Sequence, residues 1–370
     1  MIPDFLLYAP TVYCVGNRYQ IVFITQKAGA GAVIVGGKRY TDNFCGVVRT
    51  ASRVHRVEIK SEILDSAGGY AVEFKDIPER TPYHPQTAST EQAEFSFRPL
   101  PQDREINCYA LSDTHGHVVE PTLVGGYFGD ALDLLILGGD MGHNVTEEEG
   151  ALTIAELSSN LAKGEIPVIF MRGNHDTRGA FAEFLPEYVG TDHGLTYFSI
   201  AQGRLWFTML DTGEDNSNGG YGDIADYEGM WKDQIRMLEE QIRNADKEYR
   251  AEGVQVRIVL CHVPFTRYTK PCGDIFLKWT ELLNQMNIHL MISGHTHSAR
   301  FTLPENSPPK ELLPNFPCVE CTAINRSDLS TFKGTALIIG ADRITVRFTD
   351  AEHQVVKEYT VDINNVIFGA

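Results

Sequence analysis

Five short apolar runs in this chain each lead directly into a cluster of histidine, aspartate or asparagine residues. In chain order, the runs with their clusters are NCYALSDTHGH, DLLILGGDMGHN, PVIFMRGNHD, RIVLCHVPF and HLMISGHTH. Helical stretches separate the runs, and buried strands that alternate with helices are typical of an α/β core. Ligands of such cores bind beyond the carboxyl ends of the strands. The sequence therefore predicts that the five clusters meet at one rim of the core.

Seven side chains in the five clusters are candidate metal ligands. They are Asp113, His115, Asp140, Asn174, His262, His295 and His297. Imidazole, carboxylate and amide oxygen together suit Mn, Fe, Zn, Co or Ni, whereas Ca and Mg prefer shells made of oxygen alone. Because seven donors exceed what one ion needs while a position stays open, we expect two divalent transition-metal ions that share a carboxylate. The H-x-H at residues 295–297 taken alone is equally compatible with a solvated loop, but five such clusters in series are not.

The motifs D-x-H, G-D, G-N-H-D, H-x-P and G-H-x-H, in this order, resemble those of the calcineurin-like metallophosphoesterase superfamily. The resemblance covers residues 106 to about 350, and the segments PYHPQT and EFSFRPLP before it resemble the domain that precedes the catalytic part in purple-acid-phosphatase-like members. The resemblance implies one metal on Asp113, His115 and His297, a second on Asn174, His262 and His295, and Asp140 as the bridge between them.

The same resemblance implies catalytic roles for His175 and Asp176. A hydroxide that bridges the ions would attack phosphorus, His175 would assist the leaving oxygen, and Asp176 would orient His175. We therefore expect hydrolysis of phosphomonoesters or phosphodiesters. The tyrosine that follows the bridging aspartate by three residues in purple acid phosphatases is His143 here, so we expect no tyrosinate colour. Two roles stay open for His143, which either supports the metal ligands or faces the substrate. His117 is expected to lie outside the metal site.

Two alternatives to a phosphohydrolase with two metals stay open, a non-catalytic scaffold with the same fold and a nuclease of the same superfamily. Relatives that act as scaffolds usually lose ligands or the histidine of G-N-H-D, and none is lost here. The chain has a net charge of -17, and residues 105–370 hold 20 Lys and Arg against 38 Asp and Glu. An acidic catalytic part disfavours contact with nucleic-acid phosphates. We therefore expect a small phosphate-ester substrate and no nucleic-acid partner.

The first hundred residues predict strands with no helical pattern between them. The predicted strands lie at 19–26, 31–37, 53–60, 70–77 and 93–100. This series of strands without helices favours a fibronectin- or immunoglobulin-like β-sandwich at 1–104 that supplies no metal ligand. A catalytic domain is predicted to follow it at 105–370. Within the catalytic part, we predict a helix over 227–253 and another that begins at Thr146, where Glu149 completes a capping box.

Seven scattered cysteines in a chain of this size favour reduced thiols and a cytoplasmic location. Cys318 and Cys321 form a C-x-x-C without a second copy, so we interpret them as ordinary strand cysteines. No stretch approaches the ~20 apolar residues of a membrane span, and no signal peptide is evident, so no membrane partner is expected. We expect substrate specificity to lie in the loops 211–229 and 264–276, which include Tyr221, Arg267, Tyr268 and Lys270.

Overall fold

The structure, a computed structural model, describes residues 2–44, 46–214, 220–267, 273–307 and 312–364. Up to residue 100, its strands are β1 Thr11–Val15, β2 Arg18–Val35, β3 Lys38–Thr41, β4 Asn43–Phe44, β5 Val47–Val48, β6 Ser52–Lys60, β7 Gly69–Asp76 and β8 Thr90–Ser96. Beyond residue 100, they are β9 Ile106–Leu111, β10 Leu134–Leu137, β11 Pro167–Phe170, β12 Ser199–Gln202, β13 Leu205–Met209, β14 Val256–Leu260, β15 Leu290–Ser293, β16 Arg300–Thr302, β17 Cys318–Glu320, β18 Ala323–Asn325, β19 Asp328–Ile339, β20 Arg343–Thr349 and β21 Val355–Asp362. The α-helices are α1 Ser61–Ala67, α2 Val119–Gly125, α3 Glu148–Leu161, α4 Tyr227–Arg243 and α5 Gly273–Leu283. Short 3-10 helices lie at Gly126–Ala131, His175–Thr177, Ala182–Glu187, Gly220–Asp223, Ala245–Lys247, Phe265–Arg267 and Pro304–Asn306.

All five apolar runs form strands, as predicted, but they belong to two sheets rather than one. In the first sheet β9, β10 and β11 are parallel neighbours, and in the second sheet β14 and β15 are parallel neighbours. Each sheet leaves its own row of metal-binding motifs at the carboxyl ends of its strands. The common rim therefore arises where two sheets meet, which a pattern within single strands does not reveal.

The two sheets pack against each other through alternate side chains of the second sheet. On β14, Ile258 and Leu260 belong to the hydrophobic core that contains Leu135 of β10, whereas Val259 belongs to a separate core that contains Trp231 of α4. Because strand residues point alternately to opposite faces, the second sheet lies between the first sheet and helices α4 and α5. The predicted mixed α/β class, with sheets flanked by helices, is confirmed.

The predicted β-rich character of the first hundred residues is confirmed and, apart from β4 and β5, their strands are hydrogen-bonded into the first sheet. Strand β1 pairs in parallel with β11 and antiparallel with β2, so the N-terminal strands extend the first sheet. The long strand β2 then pairs with β6, β7 and β3. A division of the chain near residue 104 stays a prediction, since this sheet runs across it.

The helices differ from the sequence predictions in three ways: one helix was not predicted, one begins later and one ends earlier. Helix α1 interrupts the strands of the N-terminal region, and it ends at Gly68, whose φ of 64° is the left-handed conformation of a helix end. Helix α3 begins at Glu148, and Glu147, not Thr146, caps it without a side-chain hydrogen bond. Helix α4 ends at Arg243, ten residues before the predicted end, although the Asp226 side chain caps its start as helix-capping rules expect.

The five cysteines within the described ranges are all free and buried. Cys318 lies in β17 and Cys321 directly follows it, and burial raises the pKa of each thiol to about 12. The interpretation as a strand cysteine is therefore confirmed for Cys318, whereas Cys321 is a buried cysteine just beyond the strand. Among the described helices, none is both long and apolar enough to cross a membrane.

Candidate metal centre

The first group of donors consists of Asp113, His115 and His297, whose ligand atoms lie within 4.8 Å of one another. His115 Nε2 lies 3.0 Å from His297 Nε2, and His297 Nε2 lies 3.4 Å from Asp113 Oδ1. The first two residues follow β9 and the third follows β15, so both sheets contribute to the group.

The second group consists of Asp140, His262 and His295, again with ligand atoms within 4.8 Å of one another. His262 Nε2 lies 3.3 Å from Asp140 Oδ2. Asn174 joins this group, since its Oδ1 lies 3.0 Å from His295 Nδ1. His262 Nδ1 donates a hydrogen bond of 2.7 Å to the carbonyl of Gly138, which leaves Nε2 free to face the carboxylates.

The two groups contact each other, since the His295 N–H donates to both carboxylate oxygens of Asp113 at 3.0 Å. His262 Nε2 lies 3.9 Å from Asp113 Oδ1 of the first group, in addition to its contact with Asp140 of the second. The structure therefore brings all seven predicted ligands together in two adjacent groups.

The backbone is strained where it carries these donors. Five of the seven residues have a positive φ, namely Asp113 (55°), His115 (47°), Asp140 (54°), His295 (70°) and His297 (54°). Such conformations cost of the order of 1–3 kcal/mol for a residue other than glycine, and they gather at functional sites. The strain follows from turning the chain sharply at the end of each strand.

Two glycines allow the donor loops to approach one another. A Cβ at Gly173 would overlap Asp140 Oδ1, and a Cβ at Gly294 would lie 2.7 Å from Asp113 Oδ2. The glycines of the G-N-H-D and G-H-x-H motifs are thus required by close packing against the two aspartates.

Two buried carboxylates dominate the electrostatics of the site. Burial raises the pKa of Asp113 and of Asp140, but the neighbouring His262 outweighs it and both pKa values fall below the ordinary range. Conversely, burial lowers the pKa of His262, but Asp140 and Asp113 outweigh it and raise that pKa to about 10. Burial lowers the pKa of His115 to about 3, so this imidazole keeps a lone pair for a metal. The two carboxylates are therefore negatively charged, and they attract cations to the site.

The residues present fit two metal ions of the kind that the sequence predicts. His262 Nε2 is buried and forms no hydrogen bond with the described residues, although it lies 3.3 Å from Asp140 Oδ2. Buried polar atoms are normally hydrogen-bonded, so an unpartnered ring nitrogen beside a carboxylate is a natural metal donor. The mixture of imidazole, carboxylate and amide oxygen in each half suits borderline divalent metals.

His175 lies beside the donors and is held by its own loop. Its Nδ1 donates to the carbonyl of His143 at 2.5 Å, and Asn144 Oδ1 lies 3.1 Å away. Its Nε2 therefore carries the lone pair, and Arg178 Nη1 donates to it at 3.1 Å. The pKa of His175 lies below its ordinary value, and burial is the largest cause.

Asp176 does not orient His175, which corrects the sequence prediction. Its Oδ2 accepts hydrogen bonds of 2.8 Å from the backbone N–H groups of Asp140 and Gly173. Burial raises its pKa to about 7. Asp176 thus ties two donor loops together, and the carbonyl of His143 takes the orienting role.

Of the two histidines left open by the sequence, His143 lies nearer to the site. It forms a further group with His115 and His175, with ring nitrogens within 4.8 Å of one another. His117 belongs to none of the donor groups found among the described residues.

Sequence reasoning missed two arginines that contact the histidines. Arg178 forms a bidentate ion pair with the buried Glu214 at 2.5 and 2.7 Å, in addition to its contact with His175. Arg326 Nη2 lies 2.7 Å from His115 Nε2. Arg178 stands three residues after His175, so its nearness to the G-N-H-D motif was a signal in the sequence, whereas Arg326 lies in no motif.

Glu320 is a third missed residue, and it supports the G-H-x-H loop. It is 1% exposed, it accepts hydrogen bonds of 2.7 and 2.8 Å from Arg267, and it accepts another from Thr296, between the two histidines of that loop. Arg267, from one of the loops in which specificity was expected, is thus engaged by Glu320. The hydroxyl of Tyr221, from the other specificity loop, accepts a hydrogen bond of 2.8 Å from the Gly179 N–H.

Tyr268 and Lys270, from the same loop as Arg267, lie outside the described residues.

The model of the calcineurin-like phosphoesterase family matches residues 106–299, slightly more than half of the chain. The chain therefore belongs to the calcineurin-like phosphoesterase family. The resemblance carried by the five motifs is confirmed. No curated protein matches the chain significantly.

Two solved structures share the fold over nearly the whole chain. The purple acid phosphatase PPD1 from yellow lupin (Lupinus luteus) seeds is 13% identical, with a TM-score of 0.61 over 96% of this chain and 75% of that one. The structure of PhoD is 9% identical, with a TM-score of 0.54 over 98% of this chain and 90% of that one. The similarity of fold thus includes the N-terminal β-rich region.

Proposed function

We propose that this protein is a metal-dependent phosphoesterase that hydrolyses phosphate esters with two divalent transition-metal ions. The observation that supports this most is the pair of adjacent donor groups, which approach the same nitrogen of His262 at 3.3 and 3.9 Å. They lie at the strand ends of a chain that belongs to a phosphoesterase family. Buried aspartates in both groups supply the negative charge that two divalent ions require.

In this proposal, each donor group holds one ion. Asp113, His115 and His297 hold the first ion, Asn174, His262 and His295 hold the second, and Asp140 is shared. Two such ions lower the pKa of water and neutralise charge on the phosphoryl group when bound. Gly138 contributes by fixing the His262 ring through its carbonyl, since orienting contacts of this kind strengthen metal binding.

His175 is proposed to contact the substrate rather than a metal. Its Nδ1 is engaged by the carbonyl of His143, so only Nε2 is available to the leaving oxygen. Arg178 now donates to that nitrogen. To act as a proton donor, His175 therefore needs Arg178 Nη1 to pass its hydrogen bond to another acceptor, and a substrate phosphate is such an acceptor.

The test is metal content measured together with hydrolysis. Protein stripped by a chelator is reconstituted separately with Mn, Fe, Co, Ni or Zn, analysed for metal, and assayed with p-nitrophenyl phosphate and its bis ester. We expect about two ions per chain and activity that requires them. A single ion, with no uptake of a second on titration, contradicts the dinuclear site. Two ions without hydrolysis of either ester favours the non-catalytic scaffold.

A further inference from the structure

Arg326 brings a positive charge to the donor cluster from a part of the chain that no motif marks. It lies in the exposed turn between β18 and β19, beyond the matched family region. Its Nη2 donates to His115 Nε2 at 2.7 Å. Within the described part of the chain, no carboxylate forms an ion pair with Arg326. Its guanidinium therefore keeps donors that can turn to an anion.

Arg178 approaches the same pair of histidines from another loop. It contacts His175 Nε2 at 3.1 Å, and the buried Glu214 holds it through two hydrogen bonds. The rings of His115 and His175 have centroids 4.8 Å apart. Two guanidinium groups, one fixed and one on a hairpin turn, thus lie at one pair of imidazoles.

A guanidinium group beside a site for two metal ions requires an anion as its binding partner. Arginine stays protonated and has no lone pair to offer a metal, so Arg326 cannot serve as a ligand. Two divalent ions repel it unless negative charge lies between them. A phosphate offers that charge, and it matches the planar donors of arginine.

The surrounding charge makes such local cations important. Residues 105–370 hold 38 Asp and Glu against 20 Lys and Arg, so this part of the chain repels anions at a distance. An anionic substrate therefore depends on positive charge placed at the site itself.

We propose that Arg326, together with Arg178, binds the oxygens of the substrate phosphate and favours a terminal, doubly charged phosphate over a singly charged diester. This inference rests on the proposed phosphoesterase function. A terminal phosphate carries one more negative charge than a diester, and it offers one more unesterified oxygen as an acceptor. The extra charge and the extra oxygen give the second guanidinium group an acceptor that a diester does not provide.

The experiment compares Arg326→Gln with Lys333→Gln. Both variants remove one positive charge from the same hairpin, but the described contact of Lys333 Nζ is with the carbonyl of Thr331. Binding of inorganic phosphate to the manganese-reconstituted proteins is measured by calorimetry, and their metal content is measured in parallel. We expect Arg326→Gln to keep its metal and to bind phosphate about tenfold more weakly or worse, because charge-assisted hydrogen bonds are lost. Lys333→Gln should stay within about twofold of the parent protein.

Ester hydrolysis supplies the second readout. Arg326→Gln should lower kcat/KM for p-nitrophenyl phosphate more than for bis-p-nitrophenyl phosphate. Unchanged phosphate binding, equal losses for both esters, or a loss of metal as large as the loss of phosphate binding overturns the inference. If the parent protein hydrolyses neither ester, the proposed function fails, yet weaker phosphate binding by Arg326→Gln still supports the arginine site.

Discussion

Two buried histidines in different regions, His262 at the rim and His55 in the N-terminal region, each lie near a buried aspartate, yet their pKa values move in opposite directions. His262 Nε2 lies 3.3 Å from Asp140 Oδ2, and the carboxylates of Asp140 and Asp113 raise its pKa to about 10 against the effect of burial. His55 Nδ1 lies 3.8 Å from Asp42 Oδ2, and burial followed by the charge of Arg49 lowers its pKa to about 4.

The surroundings explain the difference. The His55 ring stacks on Phe23 with centroids 4.9 Å apart, and neither of its nitrogens is hydrogen-bonded within the described residues. Gly31 leaves room for the ring, since a Cβ there would overlap it. His55 is thus a packing residue. Burial lowers the pKa of both histidines, so the two carboxylates that face His262 account for the difference between them.

The largest effect is expected when the aspartate beside His262 is made neutral. Asp140→Asn should lose metal and at least about 10²-fold in rate, because even residues that only support metal ligands cost 10–100-fold. Asp42→Asn, the matched change beside His55, should retain both. Metal analysis and ester hydrolysis on both variants check this. Equal metal content in the two variants would falsify the assignment of Asp140.

The next effect separates chemistry from metal binding within the rim. His175→Ala should keep both metals and lose about 10²–10⁴-fold in rate, as is typical when a general acid is removed. The loss should be smaller for p-nitrophenyl esters than for alkyl esters, because good leaving groups hardly need a proton. His117→Ala, outside the donor groups, is the control. Loss of metal from His175→Ala, or equal losses for all esters, means that His175 is a ligand or a binding residue.

The N-terminal histidine should make stability depend on acid. Unfolded, His55 takes up a proton below about pH 6.5, but in the folded protein only below about pH 4. The unfolded state therefore binds more protons in this window, so the free energy of unfolding falls as pH drops from about 6.5 to about 4, by about 3 kcal/mol in total. His55→Phe should flatten the pH dependence of urea unfolding by that amount. Parallel curves for the two proteins would show that His55 does not carry the effect.

The smallest effect concerns the support of the rim. Glu320→Gln removes the charge that holds Arg267 and Thr296, so the G-H-x-H loop loses its anchor. We expect the dissociation constant of the metal to rise about tenfold. Glu358→Gln, which breaks the exposed ion pair with Arg347 on β20, should change little. Competition with a chelator measures both, and an identical metal affinity in the two variants speaks against an anchoring role.

The cluster of seven donors was predictable from the sequence because each donor directly follows a buried strand or stands in a short motif beside one. Asp113 and His295 lie nearly two hundred residues apart, yet each is identified by the few residues around it. Contacts that depend on tertiary structure were not predictable in this way. Asp176 lies in the G-N-H-D motif, but one of its two backbone partners, the N–H of Asp140, belongs to another loop that only the folded structure brings beside it.

The remaining differences have the same origin. Helix α1 has seven residues, too few to show a helical period between strands. Arg326 is a single cation in a turn, and nothing within the turn indicates that His115 lies beside it. Strand β1 lies next to β11 because the chain returns to it after about 150 residues, and a local pattern contains no record of such a partner.

The pairing of β1 with β11 also has a consequence during synthesis. Strand β2 follows β1 immediately and covers one edge of it, but the partner of the other edge ends only at Phe170. At roughly 5–20 residues per second, a ribosome takes about 10–30 s to complete that stretch. An unpaired strand edge is a template for association with other chains. We therefore expect nascent chains arrested before residue 167 to aggregate or to bind chaperones, and chains extended beyond β11 to resist both.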